Sequence, residues 1–90
     1  METLERIIAT FDKWAHPWTF YNFVLDNDQL DEKNKSAFRE IWTRAGDYEL
    51  WNFSDLLLGC KTAEQFLKKN YPLTDDTIRS IVRALSYQWK

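Results

Sequence analysis

Acid–base or nucleophilic chemistry in this ninety-residue sequence would have to come from one histidine, one cysteine and fourteen carboxylates. His16 stands directly before Pro17, where a helix has to end, and there an imidazole usually caps carbonyls or faces solvent. Cys60 follows Gly59 behind an apolar run, the setting of a small packed side chain rather than of a thiolate nucleophile. Pairing the two as a dyad would require a third, orienting group and an oxyanion site, and the sequence signals neither. Phosphate loops, His-x-x-x-His pairs and Cys-x-x-Cys motifs are all missing, so no catalytic, cofactor-binding or metal-ligating residue is assigned. Asp26, Asp28 and Glu32 resemble part of a calcium loop without its glycine or its bidentate acid. The expectation is a protein that is not an enzyme and carries no cofactor.

What the carboxylates offer instead is a field. Residues 1–60 hold eleven acids and six bases, a net of −5; residues 61–90 hold three acids and six bases, a net of +3, and together they give the chain's −2. The acids gather at 26–32 and 47–55, close in sequence to Tyr21, Tyr48, Trp51 and Asn52. Carboxylates around amphipathic aromatics suit a basic protein partner, because charge steers the encounter while Tyr and Trp supply affinity. Asp26, Asp28, Asp31, Glu32, Asp47 and Glu49 are therefore the expected contact residues, with Tyr21, Tyr48 and Trp51 as anchors. The competing account makes the acids ordinary solvated loop residues and the aromatics core.

These residues need elements to position them, and the spacing is helical nearly throughout. Leu4, Ile7, Ile8, Phe11, Trp14 and Ala15 mark a first helix, with Thr3 as its N-cap and its end near His16. Pro17 then suits the first position of a short helix over 18–25, preferred to a strand because no partner strand occurs. Asp31 to Ala45 places Ala37, Phe38, Ile41, Trp42 and Ala45 on one face and the pairs Asp31/Lys35 and Glu40/Arg44 on the other. Gly46 is expected as a left-handed C-cap. Asp47 should cap a fourth helix holding Leu50, Trp51, Phe53, Leu57 and Leu58 and closed by Gly59. Thr62-Ala63-Glu64-Gln65 reads as a capping box for a short helix with Phe66 and Leu67 inward, ending near Asn70. Thr74, between Leu73 and Ile78, caps a last helix striped by Ile78, Ile81, Val82, Leu85 and Trp89, with Asp75 and Asp76 in its first turn.

The fold class is therefore all-α: a single domain, 1–90, built as a compact bundle of about five or six short helices. One cysteine rules out a disulfide scaffold, and no apolar run approaches the ~20 residues of a membrane span. The acidic start at Glu2 and Glu5 is unlike a secretory leader, so a cytoplasmic location is expected.

Fifteen aromatics, a slight acidic balance and high helix content in so short a chain give a profile similar to that of bacterial immunity proteins. These are small cytoplasmic inhibitors, or antitoxins, that neutralise nuclease toxins. The resemblance lies in size, charge and helix content, and no family site comes with it. It implies a basic toxin domain as partner, neither nucleic acid nor membrane. An inhibitor of another macromolecular machine would share the same acidic surface. The alternative is a helix-turn-helix-like DNA-binding segment over 62–90, basic overall but placing Asp75 and Asp76 where the recognition helix would meet phosphates.

Overall fold

The computed structural model describes residues 2–52 and 54–89, and among these it is all-α. Six helices follow in order: α1 Glu2–Ala9, α2 Phe20–Leu25, α3 Glu32–Ala45, α4 Tyr48–Trp51, α5 Leu56–Asn70 and α6 Asp75–Gln88, with a 3-10 turn, Pro17–Thr19, leading into α2. Helix α6 is the centre of the arrangement. It packs against α5, α1, α3 and the 3-10 turn, and buries Thr77, Ile78, Ile81, Val82, Ala84 and Leu85. At 100° per residue these six cover a stripe about 160° wide, nearly half the helix circumference. Leu4, Ile7 and Ile8 of α1, Phe20 and Val24 of α2, Phe38 and Ile41 of α3, and Ala63 and Leu67 of α5 close on it as one cluster.

Three helix starts are where the sequence places them. The carboxylate of Asp31 accepts from the Asn34 amide at 2.8 Å, Asp47 from Glu49 at 2.9 Å, and the Thr74 hydroxyl from Thr77 at 3.3 Å. Each satisfies an amide that the helix itself cannot.

The helix ends differ more. Helix α1 stops at Ala9, well before His16, and Thr3 lies within its first turn rather than outside it as a cap. Thr10 tightens the end: its amide (3.1 Å) and its hydroxyl (2.7 Å) both donate to the Ile7 carbonyl. Phe11 still reaches the core and Trp14 half-packs on it, whereas Ala15 is exposed. Gly46 has φ −92°, so it is not a left-handed cap. Its smallness serves packing, since a Cβ there would stand 3.0 Å from Leu85 Cδ2 and 3.1 Å from the Trp42 carbonyl oxygen.

The largest departure concerns 47–70. The expected fourth helix is only the single turn α4, and Leu56, Leu57, Leu58, Gly59 and the Thr62 segment belong to one continuous helix, α5, capped by Asp55. Gly59 therefore does not close a helix. Thr62 opens none either: its hydroxyl donates back to the Leu58 carbonyl at 2.8 Å, inside the helix. Phe53, expected on the fourth helix, lies outside the described residues.

Candidate functional site

The two acidic groups are held at opposite ends of α3. Asp31 and Glu32 stand at its start, Asp47 and Glu49 just past its end, and fourteen residues of helix separate them by about 21 Å. The single acidic, aromatic surface expected from the sequence is thus two surfaces, and they differ in what accompanies the charge.

At the α2–α3 end, Asp26, Asp28, Asp31 and Glu32 are all exposed. Tyr21, the anchor expected there, is half-buried against Phe38 and Trp42, with ring centroids 5.7 and 5.2 Å away. Its ring is spent on the core's aromatic cluster, and no large exposed apolar side chain stands among 21–32.

At the α4 end, Asp47 and Glu49 flank Tyr48, which is 62% exposed. The Tyr48 hydroxyl donates to Asn52 Oδ1 at 3.0 Å. Trp51, the third expected anchor, is only 5% exposed, so it belongs to the core and not to a contact surface. Its indole N–H donates to the Ala45 carbonyl at 2.8 Å, and one face lies on Gly59, where a Cβ would come within 2.6 Å of the ring. Its ring also stacks nearly parallel, at 3° and 6.3 Å, with Trp89. Trp89 in turn touches Tyr48 at 6.3 Å. Expected on the buried stripe of α6, Trp89 instead sits at the helix's C-cap and remains 37% exposed.

Leu57 and Leu58, in the first turn of α5, are exposed as well. The sequence contains the signal for them. Three consecutive leucines, 56–58, span 200° of a helix, so one helix cannot bury all three against a single neighbour. Trp18 and Tyr87 form a second exposed aromatic pair, 5.5 Å apart, beside His16.

Between the end of α3, α4 and α5 runs a shallow groove of about 210 Å³ lined by Arg44, Asp47, Glu49, Leu50 and Phe66. Arg44 lies over the Phe66 ring at 5.2 Å and donates to the Tyr71 hydroxyl at 3.1 Å, and that hydroxyl donates to Glu40 at 3.1 Å. The expected Glu40/Arg44 pair is therefore bridged through Tyr71. Burial, and then the bond to Glu40, push the Tyr71 phenol above its ordinary pKa. Asp31, expected to pair with Lys35, turns its carboxylate to the cap instead.

The two lone reactive side chains are on separate elements. His16 is exposed beside Trp18, and half-buried Cys60 lies inside α5. Desolvation, reinforced by Glu64, raises the Cys60 thiol pKa and disfavours the thiolate. Among the described residues no three His, Cys, Asp or Glu side chains cluster as metal ligands, and no helix is long and apolar enough to cross a membrane.

In the basic segment 62–90, Asp75 approaches Lys68 at 3.7 Å and Asp76 approaches Arg79 at 3.4 Å. Arg83 lies over the Trp14 ring at 4.4 Å. Three of the segment's bases are thus engaged within the chain, and the start of α6 presents carboxylates. Comparison with known proteins finds no family model, no curated protein and no solved structure that matches this chain.

Proposed function

We propose that this chain is a protein-binding inhibitor, an immunity protein that occupies a basic, nuclease-type toxin domain in the cytoplasm of the cell that makes it. The observation that carries the reading is Tyr48, left 62% exposed between Asp47 and Glu49 in a chain that otherwise draws most of its rings into contact with the core. A tyrosine standing in solvent between two acids has no folding role that requires exposure. It does have a binding role: carboxylates raise the encounter rate with a cationic surface, and an aromatic anchor slows dissociation.

The test is co-expression with the basic toxin domain encoded beside its gene, together with stopped-flow association of the purified pair. Growth should be restored, and the association rate should fall steeply as ionic strength rises through the range where the Debye length drops below about 10 Å. Failure to protect against that domain, or an association rate indifferent to salt, refutes the reading.

A further inference from the structure

The first two turns of α5 present a face that no other element covers. Leu57 and Leu58 are 66% and 47% exposed there, and at about 100° per residue their directions differ by about 100°. Lys61, exposed one turn further on, points between them. The core side of the helix, Gly59, Ala63 and Leu67, faces the other way. Gly59, which Trp51 of α4 covers, lies about 150° from the midpoint between the two leucines. Phe66, in the groove that holds Arg44, Asp47 and Glu49, lies about 130° from it. Helix α4 and that groove therefore flank α5 on another side, and the leucine face is formed by α5 itself.

We infer that this face docks a second copy of the chain, α5 against α5, antiparallel about a two-fold axis between Leu57 and Leu58. The inference is independent of the toxin reading. Rotation about such an axis lays Leu57 on the partner's Leu58, and Leu58 on the partner's Leu57. It also carries Lys61, about 5 Å beyond the axis, over the start of the partner's helix, where the partner's Asp55 stands about 4 Å before it. The same contact repeats on the other side of the axis.

Both charged groups are available for this. Asp55 caps α5 through one carboxylate oxygen, accepting from the Leu57 amide at 2.9 Å, and among the described residues neither Asp55 nor Lys61 has an ion pair. The remaining charges on this side of α5 do not oppose the pairing. Lys68 is answered within the chain by Glu64 at 3.4 Å and Asp75 at 3.7 Å. Lys68 and Lys69 also lie about 16 Å beyond the axis, past the point where the partner's α5 begins.

An apolar centre with an acid on one side and a base at a similar distance on the other is complementary to itself under two-fold rotation. A wholly basic segment laid on the leucines meets Lys61, and a wholly acidic one meets Asp55. A second copy brings each charge to its opposite, and the aliphatic stem of Lys61 extends the leucine contact. Two leucines and a lysine stem from each copy fall well short of the ~1,200 Å² of a stable interface. The pairing is accordingly weak and reversible, with a dissociation constant of roughly 0.1–1 mM.

The test is sedimentation equilibrium, together with NMR spectra of the isotope-labelled chain on dilution from about 1 mM to about 20 µM, a range that brackets this constant. The average mass should rise toward two chains at the upper end, with concentration-dependent shifts at 54–61. Leu58→Ser, an exposed change that leaves the core intact, should weaken association at least tenfold. Lys61→Glu should do the same by setting glutamate against the partner's Asp55. Adding Asp55→Asn to Lys61→Glu should recover part of that loss, because the repulsion is gone and asparagine still caps the helix. Circular dichroism of each variant checks that the helices are retained.

A single-chain mass throughout the range overturns the inference. So do dilution shifts confined to 47–49 and 89 or to 16–18 and 87, and so does a Lys61→Glu chain that associates as well as the unaltered one. Protection against the toxin is read separately: a chain that protects while remaining a monomer refutes the pairing and leaves the inhibitor reading intact.

Discussion

At the scale of single residues, the contact between Gly59 and Trp51 decides more than any charged group. Alanine normally improves a helix interior over glycine by about 0.5–1 kcal/mol. Here the new methyl would stand 2.6 Å from Trp51 Cε3, and the ring cannot withdraw, being bonded to the Ala45 carbonyl and stacked on Trp89. Overpacking outweighs propensity, so Gly59→Ala should destabilise the fold by about 1–3 kcal/mol, measured by urea unfolding followed through tryptophan fluorescence; a gain in stability would mean that the ring is mobile. A second residue-scale expectation concerns Tyr71. Its phenol is held protonated above the ordinary range by burial and by the bond to Glu40, with Arg44 opposing. The folded chain thus binds the proton more tightly than the unfolded one, so the contribution is fully present below the unfolded phenol's pKa and is lost as pH rises through the folded one. In an ultraviolet titration, Tyr71→Phe should remove the phenolate component that appears above the free-tyrosine range.

At the scale of elements, three helix starts were legible, whereas the start of α5 at Asp55 and the helix ends were not. Asp31, Asp47 and Thr74 announce helices because a cap is a local bond between a side chain and an amide two or three residues on. Thr74→Ala should accordingly cost about 1 kcal/mol, within the 0.5–2 range of such changes, read as a lower midpoint in thermal unfolding, and Thr74→Asn should restore most of it. Helix ends answer to packing instead. Gly59 carries every local mark of a terminator, yet α5 runs through it because the gap left by its missing side chain is filled by an indole from α4. Thr62-Ala63-Glu64-Gln65 has the spacing of a capping box but lies mid-helix, since Leu58 is already helical and accepts the threonine hydroxyl. In both places a local signal lost to a contact that sequence distance conceals.

At the scale of the whole molecule, the first and last helices are partners. Glu5 of α1 accepts from the Thr74 amide at 2.6 Å, across 69 positions, and Leu4, Ile7 and Ile8 join the cluster that α6 centres. A ninety-residue fold has roughly 5–13 kcal/mol of stability in total, and truncating a fully buried leucine costs about 2–5 of it. Leu4→Ala should therefore lower the stability of every element together, with far-ultraviolet and near-ultraviolet circular dichroism melting at one shared, lower midpoint. Separate transitions for α1 and for α5–α6 would show that the ends of the chain are not coupled as the core implies. The radius of gyration, 12.4 Å, is close to the value of about 12 Å for a close-packed chain of this length.

The sequence by itself determined the all-α class, the caps at Asp31, Asp47 and Thr74 and most of the core, because helical period and capping chemistry are carried by residues within a turn of one another. It also showed that acids and aromatics share the chain's first two thirds. Only the tertiary structure decided which of them belong together. The length of α3 sets 26–32 apart from 47–49, Tyr21 is drawn into the stack with Phe38 and Trp42, and Trp51 is claimed by Gly59 and the Ala45 carbonyl. Trp18, Tyr48, Leu57, Leu58, Tyr87 and Trp89 are what the core leaves outside among the described residues. Exposure of that kind depends on which neighbours arrive from elsewhere in the chain, and no periodicity records it.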